Sequence, residues 1–164
     1  HEALNQASDV WEFDKEKYVP EKLEWDRCNF MIQHKGIGLA ANQIDLKKRV
    51  FVMGSNDLTD FPKPFALFNP TVLEASKERV LDTEGCLSFP GLLLKVSRPA
   101  WIVGQWQTAK GETKEGKIQG YLAKCFQHEF DHLNGITFLD RVGKLKLQLA
   151  LKKLNKLRKK LKND

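Results

Sequence analysis

The chain has 164 residues, of which 41% are hydrophobic and 29% charged, enough for one domain with its own apolar core and ordinary for a soluble globular protein. No apolar run approaches the roughly 18 residues of a membrane span. Three scattered cysteines, Cys28, Cys86 and Cys125, exclude a disulfide framework and fit a reducing compartment. The first residue is His1 rather than Met, and no basic-then-apolar signal stretch follows, so we expect a trimmed start with any targeting segment out of view.

Residues 1–20 are polar and punctuated, and read as an irregular arm anchored by Trp11, Phe13 and Tyr18. From Glu21 to about Lys35, the residues Leu23, Trp25, Phe30, Met31 and Ile32 suit a first helix stopped by Gly36. Val50 to Met53 is a short strand closed by Gly54-Ser55-Asn56-Asp57. Phe65 to Phe68 predicts a second strand ended by Asn69-Pro70, with further strands in Thr71 to Val80 and Leu92 to Val96. Trp101 to Gln107 is another, turning at Lys110-Gly111-Glu112 into a returning strand near Lys117 to Gln119. The period then changes. Tyr121 to Leu133 has helical spacing and ends at the capping pair Asn134-Gly135, and a last helix is expected over 143–162. Strands first and helices last, in one domain over residues 1–164, predict an α+β fold.

The formal charge of +6 hints at nucleic acid, but nine Lys or Arg residues and no acid lie between Lys144 and Lys162, leaving the rest of the chain net acidic. In that tail Leu147, Ala150, Leu151, Leu154, Leu157 and Leu161 form one stripe, expected to pack on the body with the lysines outside.

His128-Glu129-Phe130-Asp131-His132 is an HExxH motif inside a predicted helix. Histidines at i and i+4 project from one face and can grip one metal ion, while Glu129 lies beside the first of them as a general base. So short a motif also arises by chance, with histidines that are merely core or solvated. A catalytic site wants a third protein ligand and one open position. No histidine, glutamate or cysteine follows His132, so the downstream ligand of a zincin-type protease is missing. Cys125 shares the helix face, and three donors from one rigid helix give poor tetrahedral geometry. Cys86, from a separate segment, can close the tetrahedron, although Glu84 to Pro90 taken alone reads as a turn with a buried cysteine. The glycine-rich stretch from Gly36 to Gln43 lacks the ending of a phosphate loop.

Taken together, GIGLAANQ (from Gly36), EGCLS (from Glu84) and QHEFDH (from Gln127), in that order, resemble the three signature motifs of the peptide deformylase family. The likeness runs from about Gly36 to the C-terminal end. It implies antiparallel sheets around a central HExxH-bearing helix, and hydrolysis of the N-formyl group from N-formylmethionyl peptides to release formate. By resemblance, Cys86, His128 and His132 are the metal ligands and Glu129 the acid/base. Gln43 and the Leu87 N–H are the oxyanion donors; Ile37, Tyr121 and Cys125 line the methionine pocket, and Gly38 runs beside the substrate. Members of that family generally work with iron(II), whereas a thiolate with two imidazoles also suits zinc, nickel or cobalt. One departure stands out: many bacterial members carry an arginine seven residues after the ligand cysteine, where this chain has Leu93. Weaker dependence on a downstream carboxylate is expected from it.

The resemblance further implies a monomer that crosses no membrane, with ribosome contact through the basic tail. Its setting would be the cytoplasm of a bacterial or bacterial-virus-infected cell, or an organelle if a targeting segment has been removed. A zincin-like protease and a non-enzymatic RNA-binding module are the rival functions. Neither accounts for all three motifs.

Overall fold

The computed structural model describes residues 2–59 and 61–162. It has the expected α+β architecture, with antiparallel sheets around the helix that carries the HExxH residues. Before Pro20 the described residues form a short 3-10 turn, Glu2–Asn5, and two isolated β-bridges, Ala7 with Asn134 and Asp9 with Lys48. Helix α1 spans Pro20–Gln33, followed by strands β1 Gly38–Ala40, β2 Val50–Met53, β3 Phe65–Ala75 and β4 Arg79–Glu84. Strands β5 Leu94–Pro99, β6 Trp101–Gln107 and β7 Thr113–Gln119 lead into helix α2 Gly120–Leu133 and helix α3 Lys144–Lys160. One sheet has the order β1-β2-β3-β6-β7, so β1 and β7 are its edges; β4 and β5 form a separate ribbon.

The five-stranded sheet lies between two apolar layers because its central strands alternate. Val50 and Val52 of β2, with Ala66 and Phe68 of β3, face Leu23, Cys28 and Met31 of α1. Phe51, Met53 and Leu67 point the other way, onto Ala123, Phe126 and Leu133 of α2. Both faces are covered, which is why Val50–Met53 is buried at every position. A third cluster joins Leu92, Leu94 and Val96 to Phe138 and to Leu147, Ala150 and Leu154 of α3.

Several local expectations are corrected. Helix α1 stops before Gly36: Lys35 takes the left-handed conformation (φ 55°), and the Gly36 N–H donates to the Met31 carbonyl at 2.9 Å. A lysine there costs about 1 kcal/mol relative to glycine, and the closing hydrogen bonds offset it. Asn69-Pro70 does not end a strand. β3 runs through it with a register shift between Phe68 and Thr71, and Asn69 adopts φ 46°. The side chain freed by this bulge pins the arm, since Asn69 Oδ1 accepts from the Trp11 N–H at 2.7 Å and Nδ2 donates to the Trp11 carbonyl at 2.9 Å. Trp11 is buried and Phe13 lies tilted against Phe68, ring centres 5.5 Å apart, whereas Tyr18 is half exposed. Thr71 to Val80 is broken by Ser76, so Val80 belongs to β4. In α3 only Leu147, Ala150 and Leu154 of the expected stripe pack on the body; Leu151, Leu157 and Leu161 are exposed.

Candidate active site

Helix α2 begins where β7 ends, at Gly120 in the left-handed region (φ 64°), and stops at Asn134-Gly135. It lies under the large sheet and beside the β4–β5 ribbon, so both its faces are covered and its polar residues must find partners inside. His128 and His132 project from adjacent turns, ring centres 5.0 Å apart. The chain leaving β4 brings Cys86 to them. One ligand atom each from Cys86, His128 and His132 lies within 4.8 Å of the others, and Cys86 Sγ is 3.4 Å from His132 Nε2. The sequence places these three far apart; the fold makes them one cluster.

Electrostatics show what this cluster accepts. Burial works to lower the His128 ring, but Cys86 and Glu84 on either side outweigh it and, with the Glu129 charge, raise it to about 10. Positive charge is therefore drawn to this point. His132 goes the opposite way: burial, then the positive charges of His128 and Arg98, bring it down to about 3, leaving a neutral ring with a lone pair to donate. A soft sulfur and two imidazoles from separate elements, with room for one more ligand, fit a single divalent ion.

Glu129 is 4% exposed, and its Oε2 has no hydrogen-bond partner among the described residues. Burial, opposed mainly by the His128 charge, pushes its carboxyl up to about 7. Such a group accepts and returns a proton readily near neutral pH. Gly38 makes the space for it. A Cβ at that position would lie 2.8 Å from Cγ and Cδ of Glu129, so the glycine lets helix α2 approach β1 this closely.

Gln43 stands in the short turn after β1. Its Oε1 accepts from the Ala40 N–H at 2.8 Å, which turns the amide nitrogen towards Ser88 Oγ at 2.9 Å and Cys86 Sγ at 3.5 Å. An amide donor is thus aimed at the cluster. Leu87 follows Cys86, and its N–H has no backbone acceptor among the described residues. Ile37, Tyr121 and Cys125 line the same cleft of about 670 Å³, with Gly38, Gln43, Cys86, His128 and Glu129. Cys125 Sγ donates to the Ile37 carbonyl at 3.3 Å, and burial, with the nearby Glu129 and Glu84 charges, pushes its thiol well above the ordinary value. It behaves as a neutral wall residue. Leu93 is 64% exposed and lies beyond Gly85, outside the lining of the cleft.

Sequence reasoning missed the polar scaffold behind the cluster. Glu84 Oε2 lies 2.9 Å from His128 Nδ1, which turns Nε2 towards Cys86. Arg98 of β5 clamps Glu84 at 2.5 and 3.0 Å and reaches Asp131 of α2 at 2.9 Å; Arg141 closes on Asp131 from the other side. Burial works to raise the Glu84 carboxyl, but the His128 and Arg98 hydrogen bonds and charges overcome it and hold it at about 2. Asn42, also unassigned, donates to the His132 carbonyl at 2.5 Å and ties the first motif to α2. The one available signal was Glu84, a charged residue two positions before a candidate ligand. Arg98 has none.

Known proteins resemble this chain in sequence and fold. The family model described as polypeptide deformylase matches residues 1–148. A peptide deformylase of Thermotoga petrophila is 39% identical over 150 residues, covering 90% of this chain and 85% of its own. The crystal structure of peptide deformylase from Ehrlichia chaffeensis superposes with a TM-score of 0.83 at 34% identity, covering 96% of this chain and 92% of that one. A Met-Ala-Ser-bound peptide deformylase from Acinetobacter baumannii gives a TM-score of 0.78 at 32% identity, with 87% and 93% coverage. With the family model spanning most of its length and relatives of this identity, the chain belongs to the peptide deformylase family.

Proposed function

We propose that the chain hydrolyses the formyl group of N-formylmethionyl peptides at the Cys86–His128–His132 cluster, with Glu129 as acid/base and iron(II) as the native ion. The observation that carries this reading is the meeting of a thiol and two imidazoles beside the buried Glu129 carboxyl, whose Oε2 has no hydrogen-bond partner among the described residues. Zinc, nickel or cobalt would fit the same donors. When bound, the ion supplies Lewis acidity, polarising the formyl oxygen and making the attacking water acidic near neutral pH.

The chain's own residues do the rest. Glu129 takes the proton of the attacking water as oxygen bonds to the formyl carbon. Negative charge then develops on the formyl oxygen, where Gln43 Nε2 and the Leu87 N–H donate to it; one such donor is typically worth about 3 kcal/mol. Glu129 returns the proton to the leaving nitrogen as the C–N bond breaks. Formate and a free methionyl amine result. Glu84 keeps the His128 ring in the orientation this requires, backed by Arg98.

The methionine side chain occupies the pocket of Ile37, Tyr121 and Cys125, and the peptide backbone lies along the outer edge of β1 at Gly38. Among the described residues β1 pairs with β2 alone, which leaves its outer edge without a strand partner, and an extended peptide can add to such an edge. The exposed Leu93 supports weak dependence on a downstream carboxylate. Among the described residues, no helix is long and apolar enough to cross a membrane. The chain acts as a monomer wherever initiation is formylated, in a bacterial cytoplasm or an organelle, and the exposed lysines of α3 dock on ribosomal RNA. Metal analysis of anaerobically purified protein, with formate release from formyl-Met-Ala, tests the core of this reading. Iron at one equivalent per chain with formate release is expected; cleavage of an unformylated peptide without formate release overturns it. Unchanged, salt-insensitive ribosome affinity after removal of residues 143–164 overturns the docking assignment.

A further inference from the structure

One wall of the cleft carries an ion pair that the chemistry above does not use. Lys124 lines the cleft between Tyr121 and Cys125, with its side chain only 13% exposed. Its ammonium is fixed three times. Nζ lies 2.7 Å from Asp82 Oδ2, donates to the Thr83 carbonyl at 3.0 Å, and sits 4.0 Å from the centre of the Tyr121 ring. Tyr121 is backed in turn by Phe61, ring centres 5.5 Å apart. Asp82 is not part of the cleft lining; its side chain is 53% exposed and reaches Lys124 from β4. Lys124 therefore spans from the metal-bearing helix to the strand that delivers Glu84 and Cys86. With the head tied off, its unbranched methylene stem is an apolar bar along the wall. An untied side chain could change rotamer and give way to a broad guest; the three ties remove that freedom.

Resting on the reading of Ile37, Tyr121 and Cys125 as the methionine pocket, we propose that Lys124 is a specificity-determining residue that fixes the width of this pocket, with Asp82 as the positioning residue that holds it in place. A pocket bounded by a fixed bar admits an unbranched side chain such as methionine and refuses one broad at Cγ, such as phenylalanine. Asp82 acts only through Lys124, so its loss changes selectivity without altering any atom of the cleft wall. Because Asp82 is half exposed, the tie weakens in salt.

The test compares kcat and KM for formyl-Met-Ala and formyl-Phe-Ala on the metal-loaded enzyme, with melting temperature as the check on folding. Lys124→Ala is expected to raise the Phe/Met ratio of kcat/KM about tenfold, the size of effect a pocket wall exerts, through a lower KM for the phenylalanine substrate. Asp82→Asn should shift the ratio in the same direction by about threefold, as befits a half-exposed pair, and Asp82→Glu should restore it. Salt near about 1 M should move the wild type towards Asp82→Asn and leave that variant unmoved. Ratios within twofold of wild type in both variants, or both substrates falling in parallel through kcat, overturn the assignment; if Lys124→Ala does not fold, Asp82→Asn decides. Ile37→Phe separates the two levels of inference. If it weakens formyl-Met binding while the other variants leave the ratio unchanged, the pocket stands and the role of Lys124 falls. If none of the three alters side-chain preference, the pocket reading falls as well.

Discussion

Helices α2 and α3 look alike in sequence, each a run of apolar residues at helical spacing, yet they sit in opposite surroundings. In α2 the polar side chains Gln127, His128, Glu129, Asp131 and His132 are all buried. In α3 no residue is buried, and contact with the body comes from Leu147, Ala150 and Leu154. The difference lies in what each polar group meets. Asp131 has two guanidinium partners and His128 a carboxylate, whereas the lysines of α3 project into solvent. Burying charge is tolerable only where the opposite charge is already in place. A periodic apolar pattern thus says that a helix has a covered face, not how much of the rest is covered.

The comparison can be strained from both sides. The largest effect is expected from Glu129→Gln, which keeps shape and burial but cannot move a proton: kcat should fall by about 10² to 10⁴ with metal content unchanged, as formate release and metal analysis together would read. Arg98→Ala comes next. It leaves Glu84 and Asp131 as buried charges short of a partner, and a loss of about 3–5 kcal/mol is expected in denaturant unfolding. Glu84 makes the same point through pH. Its carboxyl titrates at about 2 when folded against an ordinary 4.5, so the folded state binds fewer protons and gains stability above pH 4.5, lost as pH falls towards 2. Glu84→Gln should flatten the acid limb of the stability profile. The smallest effects belong to α3. Leu154→Ala, at a packed position, should cost about 2 kcal/mol, and Leu149→Ala, at an exposed one, less than about 0.5 kcal/mol. Equal costs at the two positions would mean that α3 packs differently.

The legibility of the chain follows the same division. That His128 and His132 meet was readable from helical spacing within one short stretch, whereas the approach of Cys86 to them followed from the resemblance of three separate motifs. Strands β2 and β6 were readable because each is continuous and bounded by turns. The bulge at Asn69-Pro70 was not, since a turn dipeptide reads the same whether the strand ends or continues past a kink. Lys35 was hidden for a related reason: a neighbouring glycine offered an easier stop. Arg98 could not be found at all, because its partners lie 14 and 33 residues away and only the fold defines their approach. The pairing of Asp82 with Lys124, 42 residues apart, was out of reach for the same reason.

The large sheet ends in two unlike edges. β7 is long, exposed and dotted with Lys114, Glu115 and Lys117, side chains that discourage strand-to-strand aggregation between molecules. β1 is apolar and buried, but only three residues long. That length can hold the first residues of one extended chain and is too short to seed a growing sheet between molecules. An edge of this kind offers main-chain hydrogen bonds, which every polypeptide can match whatever its sequence. The proposed reaction, which must take every nascent chain alike, would need such indifference, and a truncated strand at the rim of a cleft is suited to it without exposing the molecule to fibre formation.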